Sequence, residues 1–283
     1  LHKEYRRQRQ MCIRDRNRMD QNRMPLVEAL QQFREEAPAY FRIPGHRFER
    51  GLDEALNGAS LAAYDLSEAE GLDDLHHAEG VIAEAQRLAA ETWKAKKTFF
   101  LVNGTTCGNE AMVLSSVKEG EKIIVPRNVH KSVLMGLILC GATPVYVMPE
   151  YSTKWQMWGG VTPETIENAF AETPDAKAVL LVSPTYYGLC SDLQAIAEIC
   201  HCHNAALLVD EAHGSHLYFS EQLPLGALES GADACAQSIH KTAGSFTQSS
   251  FLSLGSGRLD EARVAANLQM VQLSLIHISE PTR

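Results

Sequence analysis

From residue 81 onward, short apolar runs alternate with stretches of helical periodicity, and this alternation restricts the chain to few architectures. "TFFLV" (98–102), "KIIVP" (122–126), "PVYVM" (144–148), "AVLLVS" (178–183), "AALLVD" (205–210) and "ACAQS" (234–238) read as strands. Between them, 81–95, 108–117, 129–140, 162–172 and 193–203 place apolar residues at helical spacing. Strands this uniformly apolar are buried on both faces, which predicts an α/β fold of three layers: a mostly parallel sheet with helices on each side. At 283 residues, the chain is long enough to bury such a sheet.

In sheets of this kind, ligands gather at the carboxyl ends of the strands, where loops lead into helix N-termini. The unusual polar residues collect there: "NGTTCGN" after the first strand, "RNVHKS", "PTYYG", "DEAHGSH" and "IHKTAGS" after later ones. "GTT" at 104–106 sets a glycine and two hydroxyls just ahead of a helix, which suits a phosphate but equally suits a plain threonine cap. Asp210 ends an apolar strand, where a carboxylate is costly unless a cation or strong donor meets it; capping the next helix is the simpler alternative. Lys241 sits among small residues, where burial would favour a neutral, nucleophilic amine; a lysine snorkelling from a strand end is the alternative.

Charge and cysteine usage narrow the function further. Residues 1–18 carry +5 and the remainder −14, so the acidic body argues against a nucleic-acid surface. Seven scattered cysteines point to reduced thiols in a cytoplasmic protein, and no apolar run is long enough to span a bilayer. "CHCH" (200–203) puts neighbouring side chains on different helix faces, so no metal site is expected. The two ends stand apart. "MCIRDR" (11–16) and "LSLIHISEPTR" (273–283) resemble translated ends of a sequencing-library transposon. The expected organisation is therefore a non-native extension (1–18), an N-terminal arm (19–60), a major domain (61–272) and a non-native tail (273–283), with a smaller C-terminal domain missing.

A phosphate cradle, a carboxylate that can keep a pyridine nitrogen protonated and a lysine that can form a Schiff base are together what pyridoxal phosphate requires of a protein. "SIHKTAGSFTQSS" (238–250) resembles the pyridoxal-phosphate attachment segment of the bacterial ornithine/lysine/arginine decarboxylases, enzymes of the aspartate-aminotransferase-like fold. "FRIPGHRF" (41–48), "GLDDLHHAEGVIAEAQ" (71–86), "PRNVHKS" (126–132), "SPTYYG" (183–188) and "VDEAHGSH" (209–216) are similar to further signatures of that family, in the same order. The resemblance implies that Lys241 is the Schiff-base lysine, Asp210 the partner of the pyridine nitrogen, and His130 the ring stacked on the cofactor. Ala212 would support the opposite face, and Thr105, Thr106 and Ser238 would hold the phosphate with His240 beside it. It also implies decarboxylation of a basic amino acid, arginine first and then lysine or ornithine, in polyamine or acid-response metabolism, by a homodimer or larger homo-oligomer. Either His240 or Lys241 would return the proton. Rival readings are another pyridoxal-phosphate reaction, an aminotransferase or lyase, and an inactive cofactor-binding homologue. Amine versus keto-acid product separates the first, and carbon dioxide release the second.

Overall fold

The computed structural model describes residues 20–36, 66–69, 71–245 and 247–273. The motif at 41–48, most of the expected arm, residues 1–18 and the tail beyond Leu273 lie outside the described residues. Among the described residues, two helices, α1 (Pro25–Glu36) and α2 (Val81–Thr92), precede the sheet. There follow β1 (Lys97–Leu101), α3 (Gly104–Ser116), β2 (Lys122–Pro126), α4 (Lys131–Cys140), β3 (Thr143–Val147) and a small hairpin, β4 (Tyr151–Ser152) with β5 (Met157–Trp158). The chain continues through α5 (Pro163–Glu172), β6 (Ala178–Val182), α6 (Leu193–Cys202), β7 (Ala206–Asp210), β8 (Ala234–Gln237), the single turn α7 (Ile239–Thr242), β9 (Ser250–Leu254) and α8 (Glu261–Val271).

Seven strands form one sheet in the order β1-β9-β8-β7-β6-β2-β3. Only β9 runs against the rest, antiparallel to both β1 and β8. Because side chains alternate along a strand, each strand feeds both faces. Val179, Leu181, Leu207 and Val209 pack under α5 and α6. Ala178, Leu180, Ala206 and Leu208 pack under α3, α4 and α8. The expected three layers are present.

The register decides what meets at the carboxyl edge. Val182 pairs with Asp210, and Asp210 with Ala236, so "SPTYYG", "DEAHG" and "SIHK" leave the sheet side by side. Helix α3 lies close against the sheet at Gly108, where an added Cβ would stand 2.8 Å from Leu101 Cδ1 and 3.1 Å from Ala236 Cβ. That close approach carries the first turn of α3 to the strand ends. The helix starts four residues earlier than the periodicity predicts, so Thr105 and Thr106 lie within its first turn rather than ahead of it.

The opposite edge of the sheet is tied by Asp233, which has no exposed surface. Its carboxylate accepts from Leu207 N at 2.8 Å and Ser256 Oγ at 2.5 Å, meets His201 Nε2 at 3.0 Å and lies 3.5 Å from Arg258 Nε. One side chain thus joins β7, β8, α6 and the loop after β9. Removing it strands a buried backbone N–H and leaves two basic groups without their acceptor. Asp233→Ala is therefore expected to cost about 3–5 kcal/mol in chemical denaturation. A loss below about 1 kcal/mol would show that water replaces the carboxylate.

Candidate active site

All eight residues singled out from the sequence border one cavity of about 690 Å³ at the carboxyl edge: Thr105, Thr106, His130, Asp210, Ala212, Ser238, His240 and Lys241. They come from the ends of β1, β2, β7 and β8 and reach across 136 residues of sequence, from Thr105 to Lys241. The hydroxyls of Thr105 and Ser238 are hydrogen-bonded to each other, and both residues are buried. Beside them is the N-terminal end of α3, whose first backbone N–H groups have no partner within the helix. Gly104 enters that turn at φ +68 with open space where a Cβ would stand, so the backbone is accessible there.

Asp210 forms the acidic floor. It is 3% exposed, and burial pushes its carboxyl above the usual aspartate range. Against this pull, Asn109 Nδ2 donates to Oδ2 at 2.8 Å and Ala212 N to Oδ1 at 3.2 Å. Among the described residues no ion pair reaches it. The carboxylate therefore has hydrogen bonds and feels the more distant Lys241 and His130, but it lacks the direct ion pair that its burial calls for.

Asn109 also connects Asp210 to His130. Its Nδ2 donates to Ser132 Oγ at 3.0 Å, and Ser132 Oγ lies 2.8 Å from His130 Nδ1. His130 caps α4, accepting at Nδ1 from Ser132 N. With Nδ1 accepting, a neutral ring carries its proton on Nε2. The ring is thus fixed from its Nδ1 side at the cavity wall.

Lys241 differs from its expected surroundings. The small residues around it suggest a buried ammonium, but they leave it exposed at the cavity mouth instead. Its Nζ lies 3.3 Å from His213 Nε2. Burial and the lysine's charge both lower the His213 pKa, so a neutral His213 accepts from the ammonium. His240 faces a different partner: its Nδ1 lies 2.9 Å from the Ser249 carbonyl and donates to it. A neutral His240 then has an unprotonated Nε2, and acts as a proton donor only as the imidazolium.

The comparisons with known proteins bear on this arrangement directly. The model for the Orn/Lys/Arg decarboxylase family, major domain, matches residues 24–276. The chain belongs to that family. It is 44% identical over 254 residues to an arginine decarboxylase of Halalkalibacterium halodurans and 41% identical over 256 to one of Bacillus subtilis. Each match covers 89% of this chain and 52% of the relative, so the chain spans about half the length of these decarboxylases. Among solved structures, lysine decarboxylase A from Pseudomonas aeruginosa superposes with a TM-score of 0.78 at 26% identity, over 88% of this chain and 37% of that one.

Within this decarboxylase fold, the structure adds residues that the motifs alone did not single out. Asn109, 1% exposed, stands in a helix that also carries Thr105, Thr106, Glu110, Ser115 and Ser116, so nothing local marked it out. Ser132, fully buried, sits in "HKS" and was hidden by the charged pair before it. Glu211, also fully buried, is not part of the cavity wall. It accepts from Ala227 N at 2.7 Å, Gln237 Nε2 at 2.8 Å and Tyr218 Oη at 2.9 Å, and so braces the residues next to Asp210 and Ser238. Among the described residues, no group of three or more His, Cys, Asp or Glu side chains is placed to hold a metal ion.

Burial raises the Glu211 carboxyl from an ordinary 4.5 to about 7. The folded state then holds this proton more tightly than the unfolded chain, so the group's contribution to stability falls as pH rises from about 4.5 to about 7. Glu211→Gln is expected to remove that slope, giving a flatter melting temperature across the interval than the wild type. Parallel curves for the two proteins would rule out the assignment.

Proposed function

We propose that this chain forms the cofactor-binding part of a pyridoxal-phosphate-dependent decarboxylase of basic amino acids, with arginine first, then lysine or ornithine. The observation that carries this reading is a buried carboxylate without a direct ion pair among the described residues, Asp210, facing the same cavity as Lys241 and a hydroxyl-lined helix N-terminus. A protonated pyridine nitrogen at Asp210 would supply the missing charge. Thr105, Thr106, Ser238 and the N-terminal end of α3 match the needs of a phosphate. The donor set therefore fits the cofactor.

Bound there, pyridoxal phosphate supplies an electron-withdrawing ring that accepts the electron pair left at the substrate's α-carbon when carbon dioxide departs. Asp210 keeps a proton on the ring nitrogen, and Asn109 keeps Asp210 in place. His130, fixed through Ser132, would lie against one face of the ring, and Ala212 against the other. Lys241 is the covalent anchor, held near His213 until it is needed. Lys241 Nζ and protonated His240 are the two groups able to return a proton to the α-carbon. Arginine comes first because the 44% and 41% identical relatives are arginine decarboxylases.

The reading extends to a cytoplasmic homodimer or larger homo-oligomer working in polyamine or acid-response metabolism. It is supported by the six described cysteines being free thiols and by the family resemblance. No helix among the described residues is long and apolar enough to cross a membrane.

The test is a titration of the purified whole protein with pyridoxal phosphate, followed by absorbance, and then assay of carbon dioxide release from arginine, lysine and ornithine. A lysine-bound cofactor band and amine product are expected. Absence of the band contradicts the cofactor assignment, and a keto-acid product contradicts the decarboxylase assignment.

A further inference from the structure

Resting on that reading, we infer that an aromatic rim formed by Tyr186, Tyr187 and Trp158 receives the cationic end of the substrate through the faces of its rings. Three observations lead to it. First, Asp210 is the only acidic side chain on the described cavity wall, and it lies buried at the floor, committed to Asn109 and Ala212. A guanidinium or ammonium entering the cavity from this side therefore meets no free carboxylate.

Second, the aromatic side chains are displayed in the open. Tyr186 is 81% exposed, Tyr187 61% and Trp158 41%, and all three border the cavity. The tyrosines occupy the two central positions of a tight turn closed by Gly188 N to Thr185 O at 2.9 Å. Such positions ordinarily favour Pro, Asn, Asp or Gly, which makes a tyrosine pair there unusual on local grounds. Thr185 is 3% exposed and braces the turn again through its Oγ1, which accepts from Leu189 N at 3.2 Å. The rings are thus held out by a rigid base.

Third, the rim is next to the reacting end. The Tyr186 ring stands edge-on to His213 with centroids 5.7 Å apart, and His213 Nε2 is 3.3 Å from Lys241 Nζ. Tyr187 packs edge-on against Tyr186 at 5.5 Å. A substrate whose α-amine reaches Lys241 therefore has these rings beside it, within reach of its side chain. Aromatic faces attract cations, arginine-like ones above all, and the attraction strengthens when water is excluded.

The test uses the whole protein loaded with pyridoxal phosphate and two ligands that lack the carboxylate and so cannot turn over. These are agmatine, the amine that arginine yields on losing carbon dioxide, and the isostere in which a neutral ureido group replaces the guanidinium while the primary amine is kept. Binding is followed by calorimetry, and cofactor loading by absorbance. Tyr186→Leu is expected to weaken agmatine about tenfold, leave the isostere unchanged and keep the cofactor band, while Tyr186→Phe stays near wild type. Trp158→Leu should act in the same direction. Equal weakening of both ligands, or no change in either, overturns the rim. A wild-type protein without the lysine-bound band overturns the decarboxylase reading, and the rim with it, whereas lost selectivity with an intact band leaves that reading standing.

Discussion

Lys241→Ala is expected to abolish the lysine-bound absorbance band and to lower carbon dioxide release on the order of 10³-fold or more. Lys241 is the only primary amine on the described cavity wall, so no neighbour can take over its covalent role. His213 would lose its ammonium partner but keep its place, so the variant should fold normally. Pyridoxal phosphate should still enter, held by Thr105, Thr106, Ser238 and Asp210, but should leave on dialysis. A variant that kept the covalent band would move the attachment point elsewhere and undo the central assignment.

Asp210→Asn should separate stability from function. The substitution keeps the shape of the side chain but removes the charge that holds a proton on the ring nitrogen. A fall in kcat of about 10²-fold or more is expected, with little change in KM. Without cofactor, the same change removes a buried charge that has no ion pair but sets an amide NH2 against one of two donors, Asn109 Nδ2 or Ala212 N, so the two effects oppose each other and stability should change by no more than about 1 kcal/mol. A variant destabilised by about 3 kcal/mol or more would mean that the lost acceptor outweighs the relieved charge. Comparing melting with and without pyridoxal phosphate decides between these outcomes, because the wild type should gain more from the cofactor than the variant does.

The parallel part of the sheet was readable because its strands are continuous apolar runs. The run at 122–126 coincides with β2, and those at 178–183, 205–210 and 234–238 each differ from the structure by one residue. Strand β9 was not read, for a physical reason. "SFLSL" carries serines at positions the sheet buries: Ser250 is 1% exposed, and Ser253, fully buried, meets Thr98 Oγ1 at 2.9 Å across the β1–β9 pair. A hydroxyl satisfied by a partner 155 residues away has no local signature. Helix α8 lay beyond the last motif, and α1 precedes the alternating region. At the site, residue types that carry their own chemistry were legible, whereas Asn109, Ser132 and Glu211 act by holding other side chains, which only tertiary contact reveals. The exposure of Lys241 likewise depends on where the sheet ends, not on the small residues around it.

The position of β9 also sets an order of events during synthesis. Among the described residues, strand β1 pairs in the sheet with β9 alone, which is made about 150 residues later. Until residues 250–254 have left the ribosome, β1 lacks the strand that joins it to β8. Helix α3 also packs directly on β8 at Gly108, so Thr105 and Ser238 have a second tie that does not pass through β1, and β2, β3, β6 and β7 pair among themselves without β9. The sheet edge nearest the pocket is thus joined to its centre by a single reversed strand, one of the last parts of the sheet to be made.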